Sequence, residues 1–230
     1  MSEAPAGPDV AALTVGVLGG TGPQGKGLAY RLARAGQRVL VGSRDAERGR
    51  TAAEEINGML DGSGTLLEGF DNARAAKEAD LVIVAVPWEG HAATLQLLRE
   101  QLAGKVVVDC VNPLGFDKQG CYLLPVPEGS AAQQAATLLP DSQVVAAFHH
   151  VSATVLVDAS TDKVDTDVLV LGDDRVATDL VQALADRIPG VRGIYGGRLR
   201  NAGQVEGLTA NLVSVNRRYK AHAGIRVTDV

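Results

Sequence analysis

Gly20, Gly22 and Gly25 stand at G-x-G-x-x-G spacing between an apolar run, residues 13–18, and a helical stretch, residues 25–35. The chemistry such a turn can do is anion binding. Its first glycine permits the tight turn, its second lets the backbone approach a pyrophosphate, and its third lets helix and strand pack closely. Unpaired N–H groups at the helix N-terminus then face the negative charge. A second apolar strand, residues 38–42, arrives at the spacing a βαβ unit requires, so the turn reads as a dinucleotide site rather than a plain glycine-rich loop. The residues after that strand choose the dinucleotide. A site for NAD usually carries an Asp or Glu about 20 residues beyond the turn. Here stand Ser43 and Arg44, with Arg48 one turn into the next helix. A hydroxyl and a guanidinium fork suit a 2′-phosphate, which predicts NADP; the competing account is a pair of solvated helix-start cations.

Other candidates lie at the ends of later strands. Residues 81–86 form a β-branched run without alternation, the mark of a strand buried on both faces of a parallel sheet. Pro87-Trp88 breaks it. Residues 106–109 give another buried strand, followed by Val111-Asn112-Pro113. Ligands in such a sheet lie outside the carboxyl ends of the strands, so Trp88 and Asn112 fall beside the glycine turn. Trp88 either packs beside a nicotinamide or plugs the edge of the domain. Asn112 offers an amide to a carboxamide or ribose, although Asn-Pro is also a common turn. His149 and His150 follow a strand at residues 144–147. Neighbours on a strand point to opposite faces and no third ligand is evident, which argues against a metal. His149 is the candidate for lining the cleft and reaching the reaction; a satisfied structural histidine is the alternative.

The elements that position these residues alternate strand and helix through residue 110. Helices are predicted at 45–58, 71–79, 91–102, 130–139 and 174–188, and strands at 65–67, 168–172 and 191–195, with 116–124 as loop. Residues 199–215 repeat apolar positions at three- and four-residue steps, one helical face. The expected architecture is α/β: a Rossmann-type doubly wound parallel sheet over residues 13–160, and a small C-terminal α/β domain over residues 161–230. Residues 1–12, small and polar with two prolines, read as a disordered tail without the blocks of a signal peptide.

A chain of 230 residues with net charge -5 is not built for general nucleic-acid binding. It has no apolar run of membrane-spanning length. Cys110 and Cys121 form no framework, so a reducing cytoplasm is the expected location. From Arg187 to Arg226 the basic residues outnumber a single acid, Glu206. That basic stretch is either a solvated surface or a seat for a second, strongly anionic ligand.

With these residues assembled, the chain resembles the NADPH-dependent reductases of the deazaflavin coenzyme F-420. The matching text is Gly19-Gly20-Thr21-Gly22 through Lys26-Gly27-Leu28-Ala29, Val41-Gly42-Ser43-Arg44, Val86-Pro87-Trp88-Glu89 and Gly224-Ile225-Arg226. The likeness runs through nearly the whole chain after residue 12. It implies that Thr21, Ser43, Arg44 and Arg48 hold the 2′-phosphate end of NADP, and Pro23 and Gln24 its diphosphate turn. It places Trp88, Asn112 and Ala153 near the nicotinamide, and Val151, Ala223 and Gly224 at the deazaflavin. It also implies a homodimer whose substrates are two small-molecule cofactors, NADP and coenzyme F-420 (8-hydroxy-5-deazaflavin). Pro23-Gln24 and Val151-Ser152 depart from the family's usual Asn-Leu and Ile-Pro. The rivals are another small NADPH-dependent reductase, of the imine or ferric type, and a non-catalytic NADP-binding redox sensor.

Overall fold

The computed structural model describes residues 8–230. β1 (Thr14–Leu18), α1 (Pro23–Arg34), β2 (Arg38–Ser43), α2 (Ala46–Met59), β3 (Glu68–Asp71) and α3 (Asn72–Glu78) form the first winding. β4 (Leu81–Val84), α4 (His91–Leu97), α5 (Arg99–Leu102) and β5 (Val106–Asp109) form the second. A hairpin of β6 (Leu114–Asp117) and β7 (Gly120–Leu123) leads to α6 (Ala131–Leu138) and β8 (Gln143–Ala146). α7 (Ala153–Val157), β9 (Thr166–Gly172), α8 (Arg175–Asp186), β10 (Val191–Gly197) and α9 (Ala202–Tyr219) complete the chain.

Eight strands make one sheet, ordered β3-β2-β1-β4-β5-β8-β9-β10. Neighbours run parallel except β8 and β9, which meet antiparallel at Val145 with Gly172 and Ala146 with Leu171. The order reverses between β1 and β4, so the crevice at their carboxyl ends is the switch point where such sheets bind ligands. The continuous apolar text of β4 is explained by its two covers. Leu81 and Ile83 pack with Leu28 and Leu32 of α1 and Ile56 of α2, whereas Val82 and Val84 pack with Ala75 and Ala76 of α3 and Leu95 of α4. Burial of each such large side chain stabilises by about 1.5–3 kcal/mol.

The predicted helices stand within a few residues of their expected ends, and Asp71 caps α3 by accepting from the Arg74 N–H at 2.8 Å. The stretch expected as a small C-terminal α/β domain supplies its own strand-helix-strand unit, β9-α8-β10. That unit docks through β8 and β9, and a single sheet runs through both parts.

Three expectations differ from the structure. The strand expected at 65–67 forms at 68–71, because Asn57 of α2 takes both backbone groups of Leu67, at 2.8 and 3.0 Å. Residues 116–124 are not loop but most of the β6–β7 hairpin, closed where Asp117 Oδ1 accepts from the N–H groups of Gln119 and Gly120. Of the expected tail, residues 1–7 lie outside the described residues. Residues 8–12 are docked: Val10 is buried, and Gln37 Nε2 donates to its carbonyl at 3.0 Å.

Candidate active site

The glycine turn at the end of β1 is built as its sequence demands. Gly19 has φ +72°, which L side chains rarely adopt, and a Cβ on Gly25 would lie 2.7 Å from the Gly19 carbonyl oxygen. Gly22 is the N-cap of α1 and Pro23 its first residue. The first intrahelical bond runs from the Lys26 N–H to the Gly22 carbonyl at 2.8 Å, which leaves the N–H groups of Gln24 and Gly25 without an intrahelical acceptor.

This turn forms one wall of a cleft of 690 Å³. Thr21, Gly22, Pro23 and Gln24 line it together with Ser43, Arg44 and Arg48 from the end of β2 and the start of α2. Ala85, Val86, Pro87, Glu89, Gly90 and Thr94 make the opposite wall. Asp45 caps α2 by accepting from the N–H groups of Glu47 and Arg48, which fixes the helix start that presents Arg48. Arg50 is paired with Glu47, whereas Arg44 and Arg48 are exposed and have no ion pair among the described residues. Two unpaired cations thus stand together in the cleft wall at the end of β2 and the start of α2, a charge that suits an anionic group. Gly20 and Gly25 sit within the turn rather than in the cleft wall.

A second cavity, of 250 Å³, adjoins the first, and Gln24 lines both. Its walls carry Asn112, His149, Val151, Ala153, Thr209, Leu212, Val213, Asn216 and Ala223. β8 ends at Ala146, and Phe148, wholly buried, turns the chain with φ +63°, a strained conformation for a bulky residue. The turn is pinned from three sides. Gln24 Nε2 donates to the Phe148 carbonyl at 3.1 Å, and both Asn112 Nδ2 and Thr209 Oγ1 donate to the His149 carbonyl, at 2.8 and 3.0 Å. Ser152 caps α7, and Asn216 Oδ1 accepts from the Ala223 N–H at 2.6 Å, so helix and return segment are both fixed around the cavity. Asn112 Oδ1 and both ring nitrogens of His149 are buried without a hydrogen-bond partner. Such orphaned groups fit a polar ring system placed against them.

Sequence reasoning missed a buried polar cluster behind this cavity. His91 Nε2 pairs with Asp109 Oδ2 at 2.6 Å, and His91 Nδ1 with Gln134 Oε1 at 3.0 Å. Glu206, wholly buried, accepts from the Ala131 and Ala132 N–H groups at 3.0 and 3.2 Å and stands 3.9 Å from His149 Nε2. Burial drives the Glu206 carboxyl up to about 7, against the pull of those two N–H groups. Burial likewise drives His149 and His150 down to about 4, so both imidazoles are neutral near pH 7. For His91 burial acts downward, but Asp109 outweighs it and the net shift is upward. Two signals for this cluster were in the text: an acid ending an apolar strand, and Glu206 as the lone acid in a basic stretch.

Two further expected residues, Trp88 and Gly224, line neither cavity. Trp88 is half-buried, 5.5 Å from the His91 ring and packed on the core, so it backs the cleft wall rather than lining it. Gly224 packs against Thr166 of β9 and lines neither cavity. His150, not singled out from the sequence, also lines the second cavity, its Nε2 accepting from the Leu169 N–H at 3.3 Å and its Nδ1 buried without a partner. Among the described residues no group of three or more His, Cys, Asp or Glu is placed to hold a metal.

Residues 14–113 match the sequence model of the family described as "NADP oxidoreductase coenzyme F420-dependent". The F420-dependent NADP reductase of Methanothermobacter marburgensis is 41% identical over 223 residues, covering 95% of this chain and 99% of the relative. The F420-dependent NADP reductase of Methanocaldococcus jannaschii is 39% identical over 224 residues, covering 95% and 99%. A crystal structure of a candidate F420-dependent NADP reductase from Arthrobacter sp. FB24 superposes with a TM-score of 0.80 at 26% identity, covering 94% of this chain and 100% of that one.

Proposed function

Because the chain belongs to the family of coenzyme F-420-dependent NADP reductases, we propose that its first cleft takes NADP(H) and its second cavity the 8-hydroxy-5-deazaflavin ring. The protein is an oxidoreductase that transfers a hydride between NADP(H) and coenzyme F-420. The observation that carries the assignment of sites is Gln24, which stands in the wall of both cavities. Gln24 would therefore stand between the two bound coenzymes.

In this reading Ser43, Arg44 and Arg48 hold the 2′-phosphate with Thr21, and the turn from Gly22 to Gly25 holds the diphosphate. Asn112 and Ala153, in the wall of the second cavity, hold the deazaflavin on the side that faces the nicotinamide, with Trp88 supporting the wall of the first cleft from behind. Val151 and Ala223 meet the deazaflavin. The bound coenzymes supply the hydride donor and acceptor. The protein's part would be position, the two adjoining cavities bringing the bound rings together. It also supplies dryness, through the apolar lining of Val151, Leu212 and Val213. No side-chain nucleophile or metal is required for that step. Neutral His149 serves as a hydrogen-bonding group rather than as an acid.

The enzyme is further proposed to work in the cytoplasm as a homodimer. Both cysteines are free, and Val215 and Tyr219 of α9 lie exposed on its outer face, in support of that reading.

The deciding experiment mixes the protein with NADPH and oxidised coenzyme F-420 and follows loss of the coenzyme's visible absorbance, with NADH in parallel. Bleaching with NADPH and little with NADH is expected. NADPH binding without bleaching would sink the two-cavity assignment in favour of a sensor, or of a reductase for an imine or ferric acceptor.

A further inference from the structure

Next to the second cavity, on another side of α9, lies a groove of 680 Å³ between that helix and the β6–β7 hairpin. Val213 lines both. On the cavity side of the helix stand Thr209, Leu212 and Asn216; on the groove side, Ser214, Arg217 and Arg218, with Lys220 at the C-cap. From Val213 to Lys220 the helix rises roughly 10 Å.

The groove is cationic and its cations are unspent. Other basic residues of the C-terminal stretch already have acceptors. Arg187 donates to the Ala35 carbonyl, Arg192 and Arg226 pair with Asp167, and Arg198 lies 3.8 Å from Asp173. Arg200 lacks a carboxylate too, but it lies on the short turn before α9 and lines neither the groove nor the cavities. Arg217, Arg218 and Lys220 make no ion pair among the described residues. The one acid lining the groove, Asp117, is committed to the hairpin turn through Gln119 and Gly120. A helix dipole by itself accounts for basic residues in a last turn. It does not account for a hairpin that walls them into a groove sharing Val213 with the second cavity.

We propose that this groove seats the anionic side arm of the deazaflavin coenzyme, its phosphodiester and glutamate carboxylates, with Arg217, Arg218 and Lys220 as the holding cations. The inference rests on the assignment of the second cavity to the deazaflavin ring. Guanidinium forks match phosphate and carboxylate geometry, and three cations gathered in the last turn of α9, roughly 6–10 Å along the helix from Val213, suit the charged end of an arm that reaches beyond the ring.

Equilibrium dialysis of the full-length protein distinguishes the possibilities, using coenzyme F-420 and the side-arm-free 8-hydroxy-5-deazariboflavin as probes, each at low and high salt. Wild type is expected to bind coenzyme F-420 the more tightly, with an advantage that shrinks as salt rises. Arg217→Ala/Arg218→Ala is expected to weaken coenzyme F-420 binding about tenfold or more. It should leave the side-arm-free probe and NADPH within about twofold, which also reports that the variant is folded. Equal wild-type affinity for the two deazaflavins would overturn the proposal, as would an unchanged variant. Binding of NADPH with neither deazaflavin bound would instead remove the ring assignment, and the groove reading with it.

Discussion

In the proposed reading, Arg44 is the residue on which coenzyme choice turns. It stands exposed at the end of β2, beside buried Ser43 and without a carboxylate partner. Arg44→Ala is expected to cost NADPH binding about 1.5–3 kcal/mol, toward the lower end because the site is solvated, and to leave NADH binding unchanged. Calorimetry with both nucleotides checks it; an equal loss for the two would move Arg44 from the 2′-phosphate to the diphosphate. The place of Arg44 in the cleft wall was legible because it depends on local text, a residue type at a fixed distance from a glycine turn. Glu206 was not legible in the same way, since its partners Ala131 and Ala132 lie more than 70 residues away. Its effect is measurable through acid stability. His149 and His150, ordinarily near 6.5 and held at about 4, contribute stability that is present above 6.5 and lost as pH falls through about 4. Glu206, ordinarily near 4.5 and raised to about 7, contributes stability that is full below 4.5 and lost as pH rises through about 7. At about pH 5 to 6 the unfolded chain therefore binds two protons more at the histidines and one fewer at Glu206. The net slope from these groups is about 1.4 kcal/mol per pH unit, with stability falling on acidification. Glu206→Gln removes the opposing proton and is expected to roughly double the slope. Urea titrations across that window read it, and an unchanged slope would show that Glu206 titrates normally.

At the scale of elements, the joint between α1 and α7 connects the two cavities. Arg31 of α1 is buried, and its guanidinium donates to the carbonyls of Val155, Leu156 and Asp158, at 2.7, 2.8 and 2.7 Å, and to that of Thr161 at 2.5 Å. It closes the C-terminal end of a helix only five residues long. Below it Gly27 lets the helices touch, since a Cβ there would lie 2.5 Å from Leu156 Cβ. Arg31→Met leaves those carbonyls without their donor. It is expected to cost about 2–4 kcal/mol in a denaturant titration. It should weaken deazaflavin binding more than NADPH binding, because Ser152 and Ala153 at the start of α7 line only the second cavity. Equal weakening of both ligands would mean that the joint supports α1 alone. The helix α1 was legible from its periodicity and glycine entry. α7 was not, for Thr154-Val155-Leu156-Val157 has strand propensity, and the guanidinium that holds it helical comes from 125 residues away. The β6–β7 hairpin escaped notice for another reason: its strands are four residues each, too short for alternation to show.

The whole molecule is tied together by β9. Its Asp167 is fully buried, and Arg192, the Val227 N–H and Arg226 together hold its carboxyl well below the usual range against the opposing effect of burial. Arg192 comes from β10 and Arg226 from the terminal segment. The Ile225 carbonyl also accepts from the Asp167 N–H at 2.8 Å. The segment that carries Ala223 into the second cavity is thereby fastened to the same sheet that carries the glycine turn. One sheet and one continuous pair of cores predict a single cooperative unfolding transition. Calorimetry is expected to show one endotherm; two separated ones would mark residues 161–230 as an independent unit. The Rossmann half was readable because each parallel strand announces itself by an apolar run. The docking of β9 against β8 was not, because an antiparallel edge leaves no mark on either strand's own text.

Trp88, the one tryptophan of the chain, adds something to this arrangement that plays no part in catalysis. Its ring lies 5.5 Å from that of His91 between Pro87 and Glu89, both in the wall of the first cleft, the one proposed for NADP(H). Indole emits light in the band where reduced nicotinamide absorbs and oxidised nicotinamide does not. Excitation of the native protein should therefore pass its energy to NADPH in the cleft and dim, while NADP⁺ leaves it bright. The molecule carries an optical gauge of its own redox loading, readable without a label.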